Sequence, residues 1–104
     1  MLNLLKKILG SAPKQDLSPL IRGGAYLVDV RSAMEFTHNQ VKGSVNIPLD
    51  TIPSKLAKFK GKKNIIVFCQ SGNRSAQAKI YLEQQGFTNV VNGGTWRDVK
   101  AFVE

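Results

Sequence analysis

The chain has 104 residues, of which 42% are apolar, and a formal net charge of +8. These values indicate one globular domain with a single hydrophobic core, which we expect to be a monomer, and the lack of ~20 consecutive apolar residues excludes stable insertion into a membrane. The single cysteine excludes a disulfide within the chain and favours a reducing, cytoplasmic compartment.

Residues 1–15 are interpreted as an N-terminal arm and linker, and residues 16–104 as the domain. The arm begins MLNLLKKILG, and its lysines follow the first apolar residues instead of preceding them, which does not fit a signal peptide. We expect a short amphipathic helix or a frayed arm that docks on the domain. Weak contact with a membrane surface is the alternative.

The first part of the domain is predicted to hold a helix, a strand and a second helix. Asp16 or Ser18 caps the first helix, and Gly23-Gly24 end it. A buried strand follows over Ala25–Val30, and Ser32 caps the next short helix.

The middle part is predicted to hold a brief strand over Ser44–Ile47, ended by Pro48, and a helix that starts at Asp50. The apolar residues of this helix that recur at helical spacing are Ile52, Leu56 and Phe59. The densest positive charge of the chain lies in and after the same helix, at Lys55, Lys58, Lys60, Lys62 and Lys63. We interpret this run as a solvated face; attraction of small anionic substrates or of an acidic protein partner is the alternative. No nucleic-acid-binding pattern accompanies it, so we expect no nucleic acid partner.

The last part is predicted to alternate strand and helix twice, over Asn64–Phe68, Ser75–Gln85, Asn89–Val91 and Thr95–Phe102. The first of these helices is expected to turn Ala76, Ile80 and, partly, Leu82 inward, and to end at Gly86. Strands separated by helices predict an α/β fold with a mainly parallel central sheet and helices on both faces. Ligands bind beyond the carboxyl ends of the strands in such folds.

The one cysteine, Cys69, falls at this ligand-binding edge. It opens the polar loop CQSGNRS, which ends at Ser75 and leads into a helix. The backbone N–H groups of such a loop and the positive end of the helix dipole attract an anion and lower the pKa of a thiol. Arg74 adds a positive charge to the same loop. The pattern therefore favours a reactive thiolate over a buried structural cysteine.

The loop resembles the active-site loop of single-domain rhodaneses, the thiosulfate sulfurtransferase-like proteins. Three further segments are similar to the family's patterns, namely Tyr26–Arg31 followed by Glu35-Phe36, Val41–Pro48, and Val90–Gly94 followed by Trp96. Together the four segments extend over about residues 17–102. The resemblance implies a rhodanese-like three-layer α/β sandwich.

The chain departs from the family's pattern at one place. Family members often carry Gly-His where this chain has Asn39-Gln40. No role is therefore carried over to a histidine, and we expect His38 at the surface, at the end of a helix.

The resemblance implies a sulfurtransferase that moves sulfane sulfur from thiosulfate or a related anionic donor to a thiophilic acceptor, such as a thiol or an acidic protein, through a persulfide on Cys69. It implies neither a cofactor nor a metal. The substrate-binding residues would be Gln70, Ser71, Gly72, Asn73, Arg74 and Ser75. Backbone N–H groups of this loop would stabilise the persulfide anion, and Gly72 would allow the turn that aims them inward.

Individual side chains of the site have two interpretations each. Arg74 would attract the anionic donor and lower the pKa of Cys69, or would form an ion pair with a framework carboxylate. Ser75 is expected to cap the helix, with a hydroxyl contact to the bound sulfur as the second choice. Asp29 and Arg31 would support the pocket mouth, although we favour a structural ion pair or turn hydrogen bonds. For Trp96 we favour packing over substrate contact.

Other functions remain as alternatives. A Cys-loop phosphatase or arsenate reductase has five residues between its cysteine and arginine, whereas this chain has four, which makes a tighter loop. A non-catalytic rhodanese-like protein-interaction module often lacks the cysteine that this chain retains. A persulfide carrier with one dedicated partner is not separable from a thiosulfate enzyme on sequence.

Overall fold

The computed structural model describes residues 15–103 and shows an α/β sandwich around a four-stranded parallel sheet. The strands are β1 (Tyr26–Asp29), β2 (Val45–Asn46), β3 (Ile65–Cys69) and β4 (Val90–Thr95), in the spatial order β2-β1-β3-β4. The helices are α1 (Ser18–Arg22), α2 (Ala33–His38), α3 (Asn73–Gln84) and α4 (Trp96–Val103). The predicted fold class is confirmed. The predicted arm and linker lie outside the described residues apart from Gln15, so the boundary at residue 15 stays a prediction.

Every residue of β3 is buried, which shows that both faces of the sheet are covered at this strand. Successive side chains of a strand point to opposite faces. Ile65, Val67 and Cys69 pack with α3 and the segment between β2 and β3, whereas Ile66 and Phe68 pack with α1 and α4. Cys69 therefore ends a strand that is held from both sides, at the carboxyl edge of the sheet.

The prediction for the start of α1 is wrong, because its N-cap is Leu17, which makes no side-chain cap. Asp16, one residue earlier, accepts a hydrogen bond from the backbone N–H of Ser18 at 2.9 Å. The second helix begins as the sequence predicts. Ser32 and Glu35 form a reciprocal capping box at the start of α2. His38 is exposed and ends α2, as expected. Among the described residues, no helix combines the length and the apolar character needed to cross a membrane.

The helix predicted from Asp50 is wrong in type. The chain forms two short 3-10 helices instead, Leu49–Ser54 and Leu56–Phe59. Pro53 lies inside the first and offers no N–H for a helical bond, and Lys55 breaks the run with a φ of −127°. Of the three apolar residues predicted to share a helix face, Ile52 and Phe59 are buried and Leu56 is partly buried. Burial of these side chains replaces helix length as the source of stability.

The inward face of α3 also differs from the prediction. The helix begins at Asn73, two residues before the predicted start, and its buried residues are Ser75, Ala78 and Leu82. Ile80 is 57% exposed, and Leu82 is fully rather than partly buried. The three buried residues follow helical spacing from Ser75. The cysteine loop holds Ser75 against the sheet and so determines the rotation of the helix about its axis. This rotation leaves Ile80 on the exposed side.

Strand β4 is longer than predicted, because Asn92, Gly93 and Gly94 continue it to the carboxyl edge of the sheet. These residues have low strand propensity, and tertiary contacts override it. The register moves from Val67 opposite Asn92 to Phe68 opposite Gly94, so that Gly93 is the extra residue of a β-bulge. A Cβ at Gly93 would lie 2.8 Å from the Ile66 side chain and 2.9 Å from that of Val99, so only glycine fits there.

Candidate active site

The sulfur of Cys69 lies in a cradle of hydrogen-bond donors. The backbone N–H groups of Gly72 and Ser75 point at Sγ, with N···S distances of 3.0 and 3.4 Å. Gly72 has a φ of +94°, a left-handed conformation that glycine adopts without steric cost, and this turn directs its own N–H back to the sulfur. Cys69 is fully buried. The cradle predicted from the loop sequence is formed.

The cradle stabilises a thiolate. Burial of the sulfur raises the pKa of Cys69, but hydrogen bonds from the Ser75 hydroxyl and from the backbone N–H groups of Ser75, Ser71 and Gly72 lower it, and the net pKa lies below the ordinary thiol value. Hydrogen bonds to the charged sulfur thus outweigh the cost of removing it from water. A thiol in this state is a better candidate nucleophile than a free cysteine.

Ser75 does not have its predicted role. Gly72 is the N-cap of α3 and makes no side-chain cap, whereas Ser75 lies within the first turn and is fully buried. Its Oγ lies 3.4 Å from Cys69 Sγ, 2.7 Å from Oδ1 of Asn92 and 3.1 Å from the carbonyl oxygen of Gly72. The capping prediction was wrong because the helix starts two residues earlier. The Ser75 hydroxyl lies beside the sulfur of Cys69 itself, and its contact with a bound sulfur, our second choice, stays a prediction.

Arg74 forms an ion pair with a framework carboxylate. Its two terminal nitrogens donate to the two oxygens of Glu35 at 2.7 and 3.0 Å, with about a third of each side chain exposed. The hydrogen bond from Arg74, helped by those from Ser32, lowers the pKa of Glu35 to about 2 despite partial burial. Glu35 therefore compensates the Arg74 charge in this loop. Its side chain is a site residue that sequence reasoning missed, although the acidic-aromatic pair Glu35-Phe36 was visible in the sequence.

Asp29 and Arg31 form a buried structural pair, as we favoured. Nε of Arg31 donates to both carboxylate oxygens of Asp29 at 3.0 and 2.9 Å, and a terminal nitrogen donates at 2.7 Å. The Asp29 carboxylate also accepts the backbone N–H of Arg31, which closes the turn after β1. The guanidinium lies 5.2 Å from the ring centre of Trp96. The contacts of the pair are therefore structural, and its support of the pocket mouth stays a prediction.

The rim of the loop carries the other predicted substrate-binding side chains. Gln70, Ser71 and Asn73 are exposed. The indole N–H of Trp96, which is nearly buried, donates to Oε1 of Gln70 at 3.0 Å. The loop is thus tied to α4 by Gln70 and to α2 by Arg74.

An open groove of about 370 Å³ adjoins the loop and shares Arg74 with it. Its lining residues are Val30, Ser32, Pro48, Leu49, Asp50 and Arg74. Within residues 15–103, no group of three or more metal-ligating side chains is close enough to hold a metal ion. The groups that surround the sulfur are hydrogen-bond donors, which suit an anion.

Comparison with known proteins gives consistent matches. The model of the rhodanese-like domain matches residues 13–95. The thiosulfate sulfurtransferase PspE of Escherichia coli (strain K12) is 35% identical over 74 residues, which are 69% of this chain and 71% of that protein. The thiosulfate sulfurtransferase GlpE of Pseudomonas savastanoi pv. phaseolicola is 39% identical over 89 residues, 82% of this chain and 84% of its own.

Solved structures agree with these relatives. A rhodanese with anions from E. coli has a TM-score of 0.66 at 34% identity, over 72% of this chain and 91% of its own. The human single-domain sulfurtransferase TSTD1 also has a TM-score of 0.66, at 31% identity, over 79% of this chain and 86% of its own. The matched family model extends over most of the chain and includes the whole cysteine cradle, so the chain belongs to the rhodanese-like domain family.

Proposed function

We propose that this protein is a rhodanese-type sulfurtransferase that moves sulfane sulfur from thiosulfate, or a related anionic donor, to a thiophilic acceptor through a persulfide on Cys69. The observation that carries the proposal is the pair of backbone N–H groups on the sulfur, with Gly72 N at 3.0 Å and Ser75 N at 3.4 Å, beside the Ser75 hydroxyl, whose Oγ also lies at 3.4 Å. The family and the names of relatives at 35% and 39% identity support the reaction class.

In the first step the Cys69 thiolate attacks the outer sulfur of thiosulfate. A new S–S bond forms, the old S–S bond breaks, and its electron pair leaves with sulfite. The terminal sulfur of the resulting persulfide carries the negative charge, which the N–H groups of the cradle stabilise. In the second step an acceptor such as cyanide attacks that terminal sulfur, leaves as thiocyanate and restores the thiolate.

Access to the sulfur requires local movement, because Cys69 has no exposed surface. Gln70 and Ser71 follow it and are exposed, and Gln70 is held by one side-chain hydrogen bond to Trp96. A donor therefore reaches Sγ when this part of the loop moves aside. The anchored part, from Gly72 to Ser75, keeps its N–H groups on the sulfur.

The position of Arg74 favours sulfur transfer over the phosphatase alternative. Phosphatase chemistry needs an arginine that faces a tetrahedral oxyanion, whereas Glu35 takes both terminal nitrogens of Arg74. The cradle is also one residue shorter than a phosphatase loop. Both features favour a single sulfur atom as the bound anion.

Intact-protein mass after incubation with thiosulfate tests the proposal. We expect a gain of one sulfur atom in the wild type and none in Cys69→Ser. Two oxygen atoms of a sulfinic acid add nearly the same mass, so half of the sample is then treated with cyanide, which removes a persulfide sulfur and leaves a sulfinic acid in place.

The cyanide arm also separates the enzyme from its alternatives. A persulfide that forms but turns over with cyanide only at the uncatalysed rate would identify a carrier for a dedicated partner. No gain in mass, with a folded protein and a free thiol, would refute sulfur transfer from thiosulfate and leave the protein-interaction module.

A further inference from the structure

Asn92 of β4 connects the sheet to the cradle on the side of Ser75. Its Oδ1 accepts from the Ser75 hydroxyl at 2.7 Å and from the backbone N–H of Gly94 at 2.9 Å. Its Nδ2 donates to the carbonyl oxygen of Gly72 at 3.3 Å. One side chain therefore contacts two of the residues that place hydrogen-bond donors on Cys69, Gly72 and Ser75.

The orientation of this amide is determined by its partners. The Gly94 N–H can only donate and the Gly72 carbonyl can only accept, so Oδ1 faces Gly94 and Nδ2 faces Gly72. Because Oδ1 cannot donate, the Ser75 hydroxyl is the donor in the 2.7 Å contact. The bulge at Gly93, where a side chain has no room, brings Asn92 and Gly94 into this arrangement.

The Ser75 hydroxyl has only one proton to give. Three acceptors surround it: Asn92 Oδ1 at 2.7 Å, the Gly72 carbonyl at 3.1 Å and Cys69 Sγ at 3.4 Å. While Cys69 is a neutral thiol, the shortest contact holds the proton on the Asn92 side. After the thiol proton leaves to water, the charged sulfur is a stronger acceptor than an amide oxygen, and the hydroxyl turns towards it.

We propose that Asn92 is a positioning residue that sets how readily Cys69 loses its proton, by competing with the sulfur for the single proton of the Ser75 hydroxyl. Ionisation then costs the Ser75–Asn92 bond and gains a Ser75–sulfur bond. The reverse exchange occurs during turnover, when negative charge leaves the sulfur and the hydroxyl turns back to Asn92. Only this consequence for turnover rests on the proposed function; the effect on the thiol does not.

Other charged groups around the cradle stay constant in the test. They are Arg74 on α3, Glu35 on α2, Asp29 at the end of β1, Arg31 after it, Asp50 on the first 3-10 helix and Asp98 on α4. Arg74 pairs with Glu35, and Arg31 with Asp29. None of these groups is altered in the variants, so the part of a pKa difference that depends on the Ser75 hydroxyl reports the contact between Asn92 and Ser75.

The test measures the rate of alkylation by iodoacetamide against pH, which gives the pKa of Cys69 without interference because the chain has no other cysteine. Asn92→Ala and Asn92→Asp are each compared in the wild-type and in the Ser75→Ala background. The inflection pH is compared instead of the absolute rate, since Cys69 is buried and loop movement affects the rate. Circular dichroism checks the fold of every variant.

The two substitutions should shift the pKa in opposite directions. Asn92→Ala removes the competing acceptor and should lower the pKa of Cys69 by about half to one unit, roughly the effect of one neutral hydrogen bond. Asn92→Asp supplies a charged acceptor and should raise it by about one unit or more. In the Ser75→Ala background the first shift should vanish and the second should fall to half or less.

Two results would overturn the inference. Shifts that persist undiminished without the Ser75 hydroxyl would show that Asn92 does not act through it. A higher pKa for Asn92→Ala would show that Asn92 supports the thiolate by holding the loop. Each Asn92 substitution, compared with and without Ser75→Ala, is a complete test of the inference. One misfolded Asn92 variant therefore does not prevent the test. Iodoacetamide needs no sulfur donor, so this result is independent of persulfide formation.

Discussion

Replacing Glu35 by glutamine should increase the use of an anionic donor. The substitution keeps the size of the side chain and an oxygen for the capping box of α2, but it removes the negative charge that compensates Arg74. Arg74 lies in the loop that holds the sulfur, so its uncompensated charge would attract thiosulfate.

The size of the effect follows from the exposure of the pair. Arg74 and Glu35 are 37% and 34% exposed, so water screens their charges, and we expect about 0.5–1 kcal/mol at low salt. This corresponds to a roughly two- to fivefold increase in kcat/KM for thiosulfate, smaller at higher ionic strength. The rate with neutral iodoacetamide should change less.

The assay is thiosulfate:cyanide transfer at two ionic strengths. Glu83→Gln is the matched control, because Glu83 also pairs with a cation on the surface, Lys79 at 3.0 Å, and its loss changes the net charge by the same amount. An equal change in both variants would mean that only the net charge matters. A fall in kcat/KM for Glu35→Gln alone would show that Glu35 is needed to hold Arg74 in place, and would refute the electrostatic argument.

The same pair makes stability dependent on pH. The folded-state pKa of Glu35 is about 2, below its ordinary value of 4.5, so the pair stabilises the fold above pH 4.5 and the contribution is lost as the pH falls towards 2. Given the exposure of the pair, the contribution is about 1 kcal/mol or less. Denaturant unfolding should show wild type and Glu35→Gln converging over this range, and a constant difference would contradict the assigned cause.

Three further predictions concern the sulfur and the bulge. Cys69→Ser should abolish sulfur transfer and keep the wild-type circular dichroism; near wild-type activity in this variant would refute the mechanism. The pKa of Cys69 should lie below the free-thiol value of ~8.5, and an alkylation inflection at or above that value would mean that burial outweighs the cradle. Gly93→Ala should cost about 1–3 kcal/mol in denaturant unfolding because its Cβ meets Ile66 and Val99. Because Gly93 does not have a positive φ, no backbone strain adds to this cost, and a cost below about 0.5 kcal/mol would refute the packing argument.

The sequence alone was enough for the fold class, for the order of most elements and for the place of Cys69. Those features depend on contacts between residues close in the chain. A run of apolar residues predicts a buried strand, Ser32 predicts a helix start, and Gly72 predicts a turn. Most hydrogen-bond donors of the cradle are backbone N–H groups of the loop from Cys69 to Ser75. The stabilisation of a thiolate could therefore be predicted from seven consecutive residues.

Tertiary structure decided which side chains surround that loop. Glu35 lies 39 residues before Arg74, and Asn92 lies 17 residues after Ser75, and no local pattern indicates either contact. The rotation of α3, which buries Ala78 and exposes Ile80, follows from the attachment of its first turn to the sulfur. The extension of β4 through Asn92 follows from packing that admits only glycine at the bulge. Each outcome depends on the distance between segments that are remote in sequence. Packing of the whole sheet determines that distance, and the local order of residues does not.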